Sequence, residues 1–150
     1  MKKICVIGAG TMGNGIAHCF AQNKFSVNLV DSSTKNLEIA KNTINTNLER
    51  MIKKEAINKK EKTDILNRIS FQNSLDNSLE NVDLAIEAVT ESKNIKSSIF
   101  RQLDELCAPN TILATNTSSI SIQEISESTR RPENVIGMHF MNPVPIMKLV

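Results

Sequence analysis

Tryptophan and tyrosine are absent from this 150-residue sequence, and phenylalanine occurs only five times. No basic stretch is interleaved with aromatic residues, so the pattern with which proteins stack on exposed bases is missing. An excess of one charge is missing too, because 18 basic residues nearly balance 16 acidic ones and leave a net charge of +2. These absences argue against a nucleic-acid-binding protein.

Cysteine is scarce as well, since Cys5, Cys19 and Cys107 are odd in number, far apart and set in apolar runs. Neither a disulfide framework nor a metal site is predicted, and buried free thiols suit a reducing cytosol. No apolar run approaches the length of a membrane span, and the first strand-like stretch is too short for a signal-peptide core. We therefore expect a soluble, cytoplasmic protein that does not bind membranes.

Hydrophobic residues make up 40% of the chain, which suffices for the core of one domain over residues 1–150. Short β-type runs alternate with segments whose apolar residues recur at helical spacing. This alternation predicts an α/β fold with a doubly wound, mostly parallel sheet. The predicted strands are Ile4–Ile7, Val27–Val30, Ile69–Phe71, Val82–Ala88, Thr111–Thr115 and Val135–Phe140; one helix runs from Met12 to about Asn23, and another carries the stripe Ile95, Ile99, Leu103 and Leu106.

The connection after the second predicted strand is longer than a sheet crossover requires. One apolar stripe marks a helix from Ser33 to about Glu55, and a second helix follows over about Lys59–Asn67. We predict an inserted helical hairpin over about residues 33–67. Its basic residues form either a solvated helical face or a landing site for a polyanionic ligand arm. They are Lys35, Lys41, Arg50, Lys53, Lys54, Lys59, Lys60, Lys62 and Arg68.

A glycine-rich loop, Gly8-Ala9-Gly10-Thr11-Met12-Gly13, directly follows the first predicted strand and opens the first predicted helix. In that context the first glycine permits a tight turn, the second lets the backbone approach a pyrophosphate, and the third lets helix and strand pack closely. Amide groups at the helix start favour the anion. The loop therefore predicts a Rossmann-type, dinucleotide-binding domain, with Thr11 and Met12 among the cofactor contacts.

Asp31 closes the second predicted strand, eighteen residues after Gly13. A carboxylate there accepts hydrogen bonds from the ribose hydroxyls and repels a 2′-phosphate, so NAD is favoured over NADP. Lys35 nearby could soften that preference. The alternative is an aspartate that merely caps the turn before Ser32 and Ser33.

Polar residues collect at the carboxyl ends of the later strands, where an open parallel sheet binds its ligands. Glu87, Glu91, the segment Asn116-Thr117-Ser118-Ser119, His139 and the pair Asn142-Pro143 are expected to converge there. Oxidation of an alcohol carbon by hydride transfer needs a base for the hydroxyl proton, and histidine suits that task near neutral pH.

Only two histidines are present, and His18 is expected to lie on a helix surface or in packing. His139 is either a structural strand histidine or a general base, and its expected neighbours Ser118 and Asn142 favour the base. A serine hydrolase is the competing chemistry, but no Gly-x-Ser-x-Gly motif occurs.

These motifs resemble the amino-terminal domain of the 3-hydroxyacyl-CoA dehydrogenases, above all the bacterial branch acting on 3-hydroxybutyryl-CoA. The resemblance covers the whole chain and is most specific in its last two segments. It rests on the glycine-rich loop, Glu87-Ala88-Val89-Thr90-Glu91, Asn116-Thr117-Ser118-Ser119, and His139-Phe140-Met141-Asn142-Pro143-Val144-Pro145 through Lys148-Leu149-Val150.

The resemblance implies an oxidoreductase of fatty-acid or butyrate metabolism that uses NAD and an acyl-CoA substrate. It implies that His139 is the catalytic base, that Ser118 bridges substrate and cofactor, and that Asn142 lies near the nicotinamide. Glu91, Lys96 and Asn116 are implied as cofactor-side residues. The helical hairpin corresponds to the family's CoA-binding element, which makes Arg50 and Lys54 candidates for the CoA phosphates. Asn47 stands where some relatives have a CoA-contacting serine, and Met141 replaces the usual second phenylalanine.

In the family, a glutamate that pairs with the catalytic histidine follows this Leu-Val, and a second, all-helical domain encloses the substrate and forms a dimer. The sequence ends at Val150. We therefore expect residues 1–150 to bind NAD but turn over poorly, and the parent protein to be a homo-oligomer through the missing domain. The alternatives are a non-catalytic NAD-binding module and a sugar- or hydroxyacid-phosphate dehydrogenase that shares the glycine-rich loop.

Overall fold

A single six-stranded sheet organises the chain, of which the computed structural model describes residues 3–150 apart from the side chains of residues 77 and 78. The strand order is β3-β2-β1-β4-β5-β6, and each neighbouring pair is parallel. This is the Rossmann order, so the predicted fold class is confirmed. The strands are β1 (Lys3–Ile7), β2 (Ser26–Val30), β3 (Ile69–Gln72), β4 (Leu84–Glu87), β5 (Ile112–Thr115) and β6 (Val135–Gly137).

Helices cover both faces of the sheet, as the alternating pattern predicts. They are α1 (Thr11–Gln22), α2 (Thr34–Lys53), α3 (Lys59–Asn67), α4 (Lys93–Leu106) and α5 (Ile122–Ser126), with 3-10 turns at Asn77–Asn81 and Pro132–Asn134. Successive strand residues point to opposite faces. Ile4 and Val6 therefore pack with α1, α2 and α3, whereas Cys5 and Ile7 pack with α4 and α5. None of the helices within residues 3–150 is long and apolar enough to cross a membrane.

The predicted hairpin is formed by α2 and α3, on the same face of the sheet as α1. The stripe Leu37, Ala40, Ile44 and Leu48 is buried, which holds α2 against the core. The Ser33 hydroxyl accepts a hydrogen bond from the Asn36 amide at 3.2 Å and so satisfies one free donor of the first turn. The Asn58 and Glu61 side chains form a reciprocal capping box at the start of α3.

The last strand is shorter than the sequence pattern predicts. β6 ends at Gly137, although the apolar run continues to Phe140. Its partner β5 ends at Thr115, whose carbonyl accepts from the Met138 amide at 2.9 Å, and beyond that point no strand backbone remains to pair with. His139 therefore lies in an irregular segment just after the sheet. β4 likewise spans only Leu84–Glu87 of the run predicted over Val82–Ala88.

The buried face of α4 differs from the predicted stripe. Lys96, Phe100, Leu103 and Asp104 are its buried residues, whereas Ile95 is 45% exposed. The apolar spacing of Ile95 and its neighbours identified the helix correctly but did not show which of its residues are buried. The helix α5 was not predicted, because five residues are too few to show a helical repeat.

The three cysteines are free thiols. Cys5 and Cys107 are buried, as expected, and Cys19 is only partly so. Burial raises the pKa of Cys107 to about 11 and that of Cys5 further still. These thiols are therefore packing groups rather than nucleophiles.

Candidate active site

The glycine-rich loop links β1 to α1, and its three glycines differ in the space around them. Gly8 has a φ of +101°, and a Cβ there would lie 2.7 Å from the Ala88 carbonyl oxygen. A Cβ on Gly13 would lie only 1.7 Å from the Gly8 carbonyl oxygen, so helix and loop are in backbone contact. A Cβ on Gly10 would meet nothing within 4 Å. Of the three glycines, only Gly10 therefore faces open space. A dinucleotide's pyrophosphate could approach the backbone there, because no side chain is in the way.

A cavity of about 610 Å³ opens beyond the carboxyl ends of β1, β2 and β4. Its floor contains Gly8 and Gly10, and Asp31 stands at one side. Its opposite wall is apolar and is lined by Leu75, Val89, Ile95 and Ile99. The polar side of the cavity, with Asp31, suits a ribose, and its apolar wall suits a base. The cavity therefore fits the adenosine half of NAD. Ile95 and Ile99 line this cavity, although the sequence shows them only as members of the helical stripe of α4.

The Asp31 carboxylate is held by the loop that it faces. Its Oδ2 accepts from the Ala9 amide and its Oδ1 from the Ser33 amide, both at 2.8 Å. The Asn36 side chain lies 3.4 Å from both oxygens. Asp31 therefore braces the turn and also borders the cavity, so the two alternatives for this residue are compatible. In the described part of the chain no ion pair joins Asp31 to Lys35.

A second cavity, of about 370 Å³, lies at the carboxyl ends of β4 and β5. The structure brings together here seven of the residues that the sequence predicted for the site. Because the cavity also reaches the glycine-rich loop through Met12, one ligand could span both cavities. The predicted residues that line it are Met12, Glu91, Lys96, Asn116, Ser118, His139 and Asn142.

The His139 imidazole is oriented by main chain. Its Nδ1 lies 3.1 Å from the Asn116 carbonyl oxygen, which can only accept a hydrogen bond. The neutral ring therefore carries its proton on Nδ1, and Nε2 retains a lone pair. His18, in contrast, is 1% exposed, and neither of its ring nitrogens has a partner among the described residues. Its expected packing role agrees with that burial.

Behind the second cavity lies an ion cluster that spacing alone did not reveal. Lys96 and Glu87 are 1% and 0% exposed, and the Lys96 ammonium donates to Glu87 Oε1 at 2.8 Å. The same ammonium lies 3.1 Å from Glu91 Oε2. The Thr115 hydroxyl donates to Glu87 Oε2 at 2.7 Å, so both carboxylate oxygens of Glu87 are hydrogen-bonded, and the two carboxylates share one ammonium. Lys96 is thus fixed by two carboxylates rather than free in the cavity.

Glu91 ties this cluster to the loop that carries Ser118. Its Oε1 accepts from the Thr117 hydroxyl, from the Ser119 hydroxyl at 3.0 Å and from the Ser118 amide at 3.3 Å. Partial burial acts to raise the pKa of Glu91, but the hydrogen bonds from Thr117, Lys96 and Ser119 outweigh it and lower the pKa to about 2. Glu91 is therefore ionised at neutral pH and holds the Ser118 amide and the side chains on either side of it.

A third cavity, of about 390 Å³, runs between the glycine-rich loop, α2 and the segment after β6. Asn36, Thr43 and Asn47 line it from α2, and Asn142 lines it from the other side. Arg50 lies further along the same helix and Lys54 is its C-cap residue, and both are exposed. The Arg50 guanidinium is 3.5 Å from Asn47 Oδ1. Basic residues at this end of α2 also complement the helix dipole, which explains part of the positive charge without a ligand.

Comparison with known proteins decides the family. The model of the family described as 3-hydroxyacyl-CoA dehydrogenase, NAD binding domain, matches residues 3–150. The chain belongs to this family. The NAD-binding domain is 47% identical over 148 residues to a 3-hydroxybutyryl-CoA dehydrogenase from Clostridioides difficile, covering 99% of this chain and 52% of that protein. It is equally identical, over 150 residues, to one from Bradyrhizobium diazoefficiens, covering 100% of this chain and 51% of that protein.

Solved structures agree with this assignment. The NAD-binding domain superposes on the crystal structure of (S)-3-hydroxybutyryl-CoA dehydrogenase PaaH1 from Ralstonia eutropha with a TM-score of 0.94 and 41% identity, covering 98% of this chain and 52% of that chain. The chain spans about half the length of the curated relatives that it matches.

Proposed function

We propose that this NAD-binding domain serves the NAD-dependent interconversion of a short (3S)-3-hydroxyacyl-CoA, such as 3-hydroxybutyryl-CoA, and the corresponding 3-ketoacyl-CoA. One observation carries the proposal: the His139 imidazole, with its Nε2 unpaired, lines the same cavity as Ser118, Asn142 and the loop residue Met12. The names of the relatives support the substrate class. The description of the family as an NAD-binding domain supports the choice of NAD, together with the carboxylate of Asp31.

The residues present fit the cofactor. The bare backbone at Gly10, the amides at the start of α1 and the Asp31 carboxylate would hold NAD along the first cavity. When bound, the oxidised cofactor would supply the hydride acceptor for oxidation of the alcohol, and the reduced cofactor would supply the hydride donor for reduction of the ketone. No side chain caps the start of α1, so its first amides are left to a phosphate.

The protein's own contribution is to move one proton and to hold the reacting oxygen. In oxidation, His139 Nε2 takes the proton from the substrate hydroxyl, and in reduction the imidazolium returns it to the carbonyl oxygen. The Ser118 hydroxyl and the Asn142 amide supply hydrogen-bond donors to the substrate oxygen or to the carboxamide of the cofactor. The anchoring of the Ser118 backbone by Glu91 limits the freedom of that loop and favours a fixed reaction geometry.

The CoA portion of the substrate is proposed to lie along α2. The third cavity connects Asn142 to Thr43 and Asn47, and Arg50 follows less than one turn beyond Asn47. Arg50 and Lys54 would then meet the phosphates, while the polar groove accommodates the amide-rich arm. Phosphate groups pair well with such exposed cations.

Cofactor choice is tested by titrating the chain with NADH and NADPH and following the fluorescence of the reduced nicotinamide. Tighter binding of NADH is expected, because a 2′-phosphate would face the Asp31 carboxylate. Equal or stronger binding of NADPH would contradict the NAD assignment. Because Trp and Tyr are absent, protein fluorescence does not interfere with the measurement.

Catalysis is tested with acetoacetyl-CoA and NADH, in this chain and in a longer polypeptide of the length of its relatives. The short chain is expected to bind NADH but to turn over slowly. In the longer polypeptide His139→Gln should leave NADH binding intact and reduce turnover by ~10²–10⁴-fold. His18→Gln, which removes the other imidazole of residues 1–150, is the matched control. Unchanged turnover in the His139 variant would mean that another group is the base.

The CoA contact is tested by charge reversal of Arg50 and Lys54 to glutamate. The affinity for acetoacetyl-CoA should fall while that for NADH stays the same. Reversal of Lys59 and Lys60, which are also exposed on the hairpin, is the matched control. If both double variants behave alike, the basic face is only a solvated surface. A non-catalytic NAD-binding module would bind NADH yet show no turnover even in the longer polypeptide.

A further inference from the structure

We propose that the ion cluster of Glu87, Glu91 and Lys96 makes this domain favour the oxidised, positively charged form of the cofactor. This inference rests on the proposed function, in which the nicotinamide lies in the second cavity. It goes beyond a contact with the cofactor, because it concerns the charge of the cluster rather than its hydrogen bonds. The cluster holds two carboxylates and one ammonium, so one negative charge is in excess.

Glu87 and Lys96 neutralise each other inside the protein. Glu87 Oε1 accepts from the Lys96 ammonium at 2.8 Å and from the Val89 amide at 2.7 Å, and its Oε2 accepts from the Thr115 hydroxyl at 2.7 Å. Both charged side chains are buried. A charge in such a place is stable only when it is paired, so these two residues act on the cavity together and add no net charge to it.

Glu91 supplies the unmatched charge, and it does so at the wall of the second cavity. Glu91 and Lys96 both line this cavity, but the Glu91 side chain is 41% exposed, compared with 1% for Lys96. Four hydrogen-bond donors hold the Glu91 carboxylate in place. Apart from His139, none of the other described residues that line the cavity has an ionisable side chain. The carboxylate of Glu91 therefore sets the sign of the charge that a ligand meets there.

The two forms of the cofactor differ by one positive charge on the nicotinamide ring. An anionic cavity wall attracts that charge and has no equal effect on the neutral, reduced ring. A bound ligand also displaces water from the cavity, which lessens the screening of Glu91 by solvent. The cluster therefore stabilises the oxidised form more than the reduced form and lowers the reduction potential of the bound couple. On the protein, the same charge favours hydride transfer from the reduced cofactor to the ketone.

The test compares the affinities for NAD⁺ and NADH in the same chain, at one pH and one ionic strength. NADH is titrated by its own fluorescence, and NAD⁺ is measured by its displacement of bound NADH. Glu91→Gln removes the charge but keeps an oxygen that accepts hydrogen bonds, so it should lower the ratio of NAD⁺ affinity to NADH affinity on the order of tenfold. A tenfold change raises the potential of the bound couple by about 30 mV. An unchanged or increased ratio would overturn the proposal.

Glu91→Asp separates the charge of the residue from its shape. The shorter side chain keeps a carboxylate but cannot keep every hydrogen bond, so the affinities for NAD⁺ and NADH should fall together. Their ratio should stay closer to that of the original chain than to that of Glu91→Gln. A ratio as low as in Glu91→Gln would mean that geometry, and not charge, sets the preference.

Asn116→Asp tests the opposite sign and covers the case in which Glu91→Gln does not fold. Asn116 lines the same cavity, and its Oδ1 accepts from the Phe140 amide at 2.8 Å, a contact that aspartate can keep. The added negative charge should raise the ratio of NAD⁺ affinity to NADH affinity. A ratio that stays the same or falls would contradict an electrostatic preference.

Glu124→Gln is the matched control. The Glu124 carboxylate lies 3.1 Å from the ammonium of Lys93 at the start of α4, but Glu124 does not line the second cavity. Its side chain is about half exposed, so solvent and salt screen its charge, and the ratio should change by less than about twofold. A change as large as in Glu91→Gln would overturn the proposal, because the ratio would then follow the total charge of the chain.

The same titrations distinguish failure of this inference from failure of the proposed function. If the original chain binds neither NAD⁺ nor NADH, the proposed function fails and this inference fails with it. If the chain binds both forms but the ratio does not respond to the charge at Glu91, only this inference fails.

Discussion

Protonation of His18 is expected to destabilise the fold at acidic pH. The side chain is 1% exposed, and its two ring nitrogens have no hydrogen-bond partner among the described residues. An imidazolium in that position would be a buried charge without compensation, so burial lowers the pKa of His18 from 6.5 to about 4. The group is therefore neutral in the folded state at pH values where the unfolded chain already binds a proton.

The sign and size of the effect follow from this difference. Above pH 6.5 neither state is protonated, and His18 contributes no pH dependence. Between pH 6.5 and 4 the unfolded state binds one proton more than the folded state, so stability falls with falling pH. Because the pKa is lowered from 6.5 to about 4, and one pH unit corresponds to about 1.4 kcal/mol, the loss reaches about 3 kcal/mol at pH 4, where the folded state is itself half protonated.

The measurement is urea unfolding followed by far-ultraviolet circular dichroism at several pH values, because the chain has no Trp or Tyr fluorescence. His18→Leu should be at least as stable as the original chain at pH 8, since it removes two unpaired buried polar atoms. It should also lose the proton uptake, so that the two stability curves diverge by about 3 kcal/mol toward pH 4. Parallel curves for His18→Leu and the original chain would refute the reasoning.

Three further predictions concern the loop, the ion cluster and the cofactor preference. Gly10→Ala should fold normally but bind NADH weakly. Gly13→Ala should lose both stability and binding, because its Cβ would lie 1.7 Å from a backbone carbonyl oxygen. Circular dichroism measures the folding of each variant, and titration with NADH measures its binding. Lys96→Met should cost about 3–5 kcal/mol in urea unfolding, because it strands the buried Glu87 carboxylate, and adding Glu87→Gln should recover part of that loss. Asp31→Asn should reduce the ratio of NADH to NADPH affinity, and an unchanged ratio would show that another residue selects the cofactor.

Much of the fold was predictable because its signals are local. Each strand of a sheet that is covered on both faces reads as a short apolar run, and each amphipathic helix shows its repeat within a few turns. The glycine-rich loop was also readable, since the turn, the close approach and the helix contact each require glycine at a fixed spacing. The parallel order and the helical hairpin followed from the sequence of elements along the chain.

The sequence pattern was wrong where an element depends on its partner. The run Val135–Phe140 is uniformly strand-like, yet β6 ends at Gly137 because β5 offers no further backbone. Ile95 continues the repeat of α4 but faces a cavity, since its burial depends on the loops that lie opposite the helix. Neither fact has any trace in the local composition.

By itself, then, the sequence determined which residues lie at the carboxyl ends of the strands and that a dinucleotide loop precedes them. Only the tertiary structure decided what those residues do to one another. Glu87 and Lys96 form a buried ion pair, and the His139 imidazole contacts the carbonyl oxygen of Asn116, twenty-three residues earlier in the chain. Such relations depend on distances and directions between atoms from different strands, and a linear pattern carries the residue types but not their orientation.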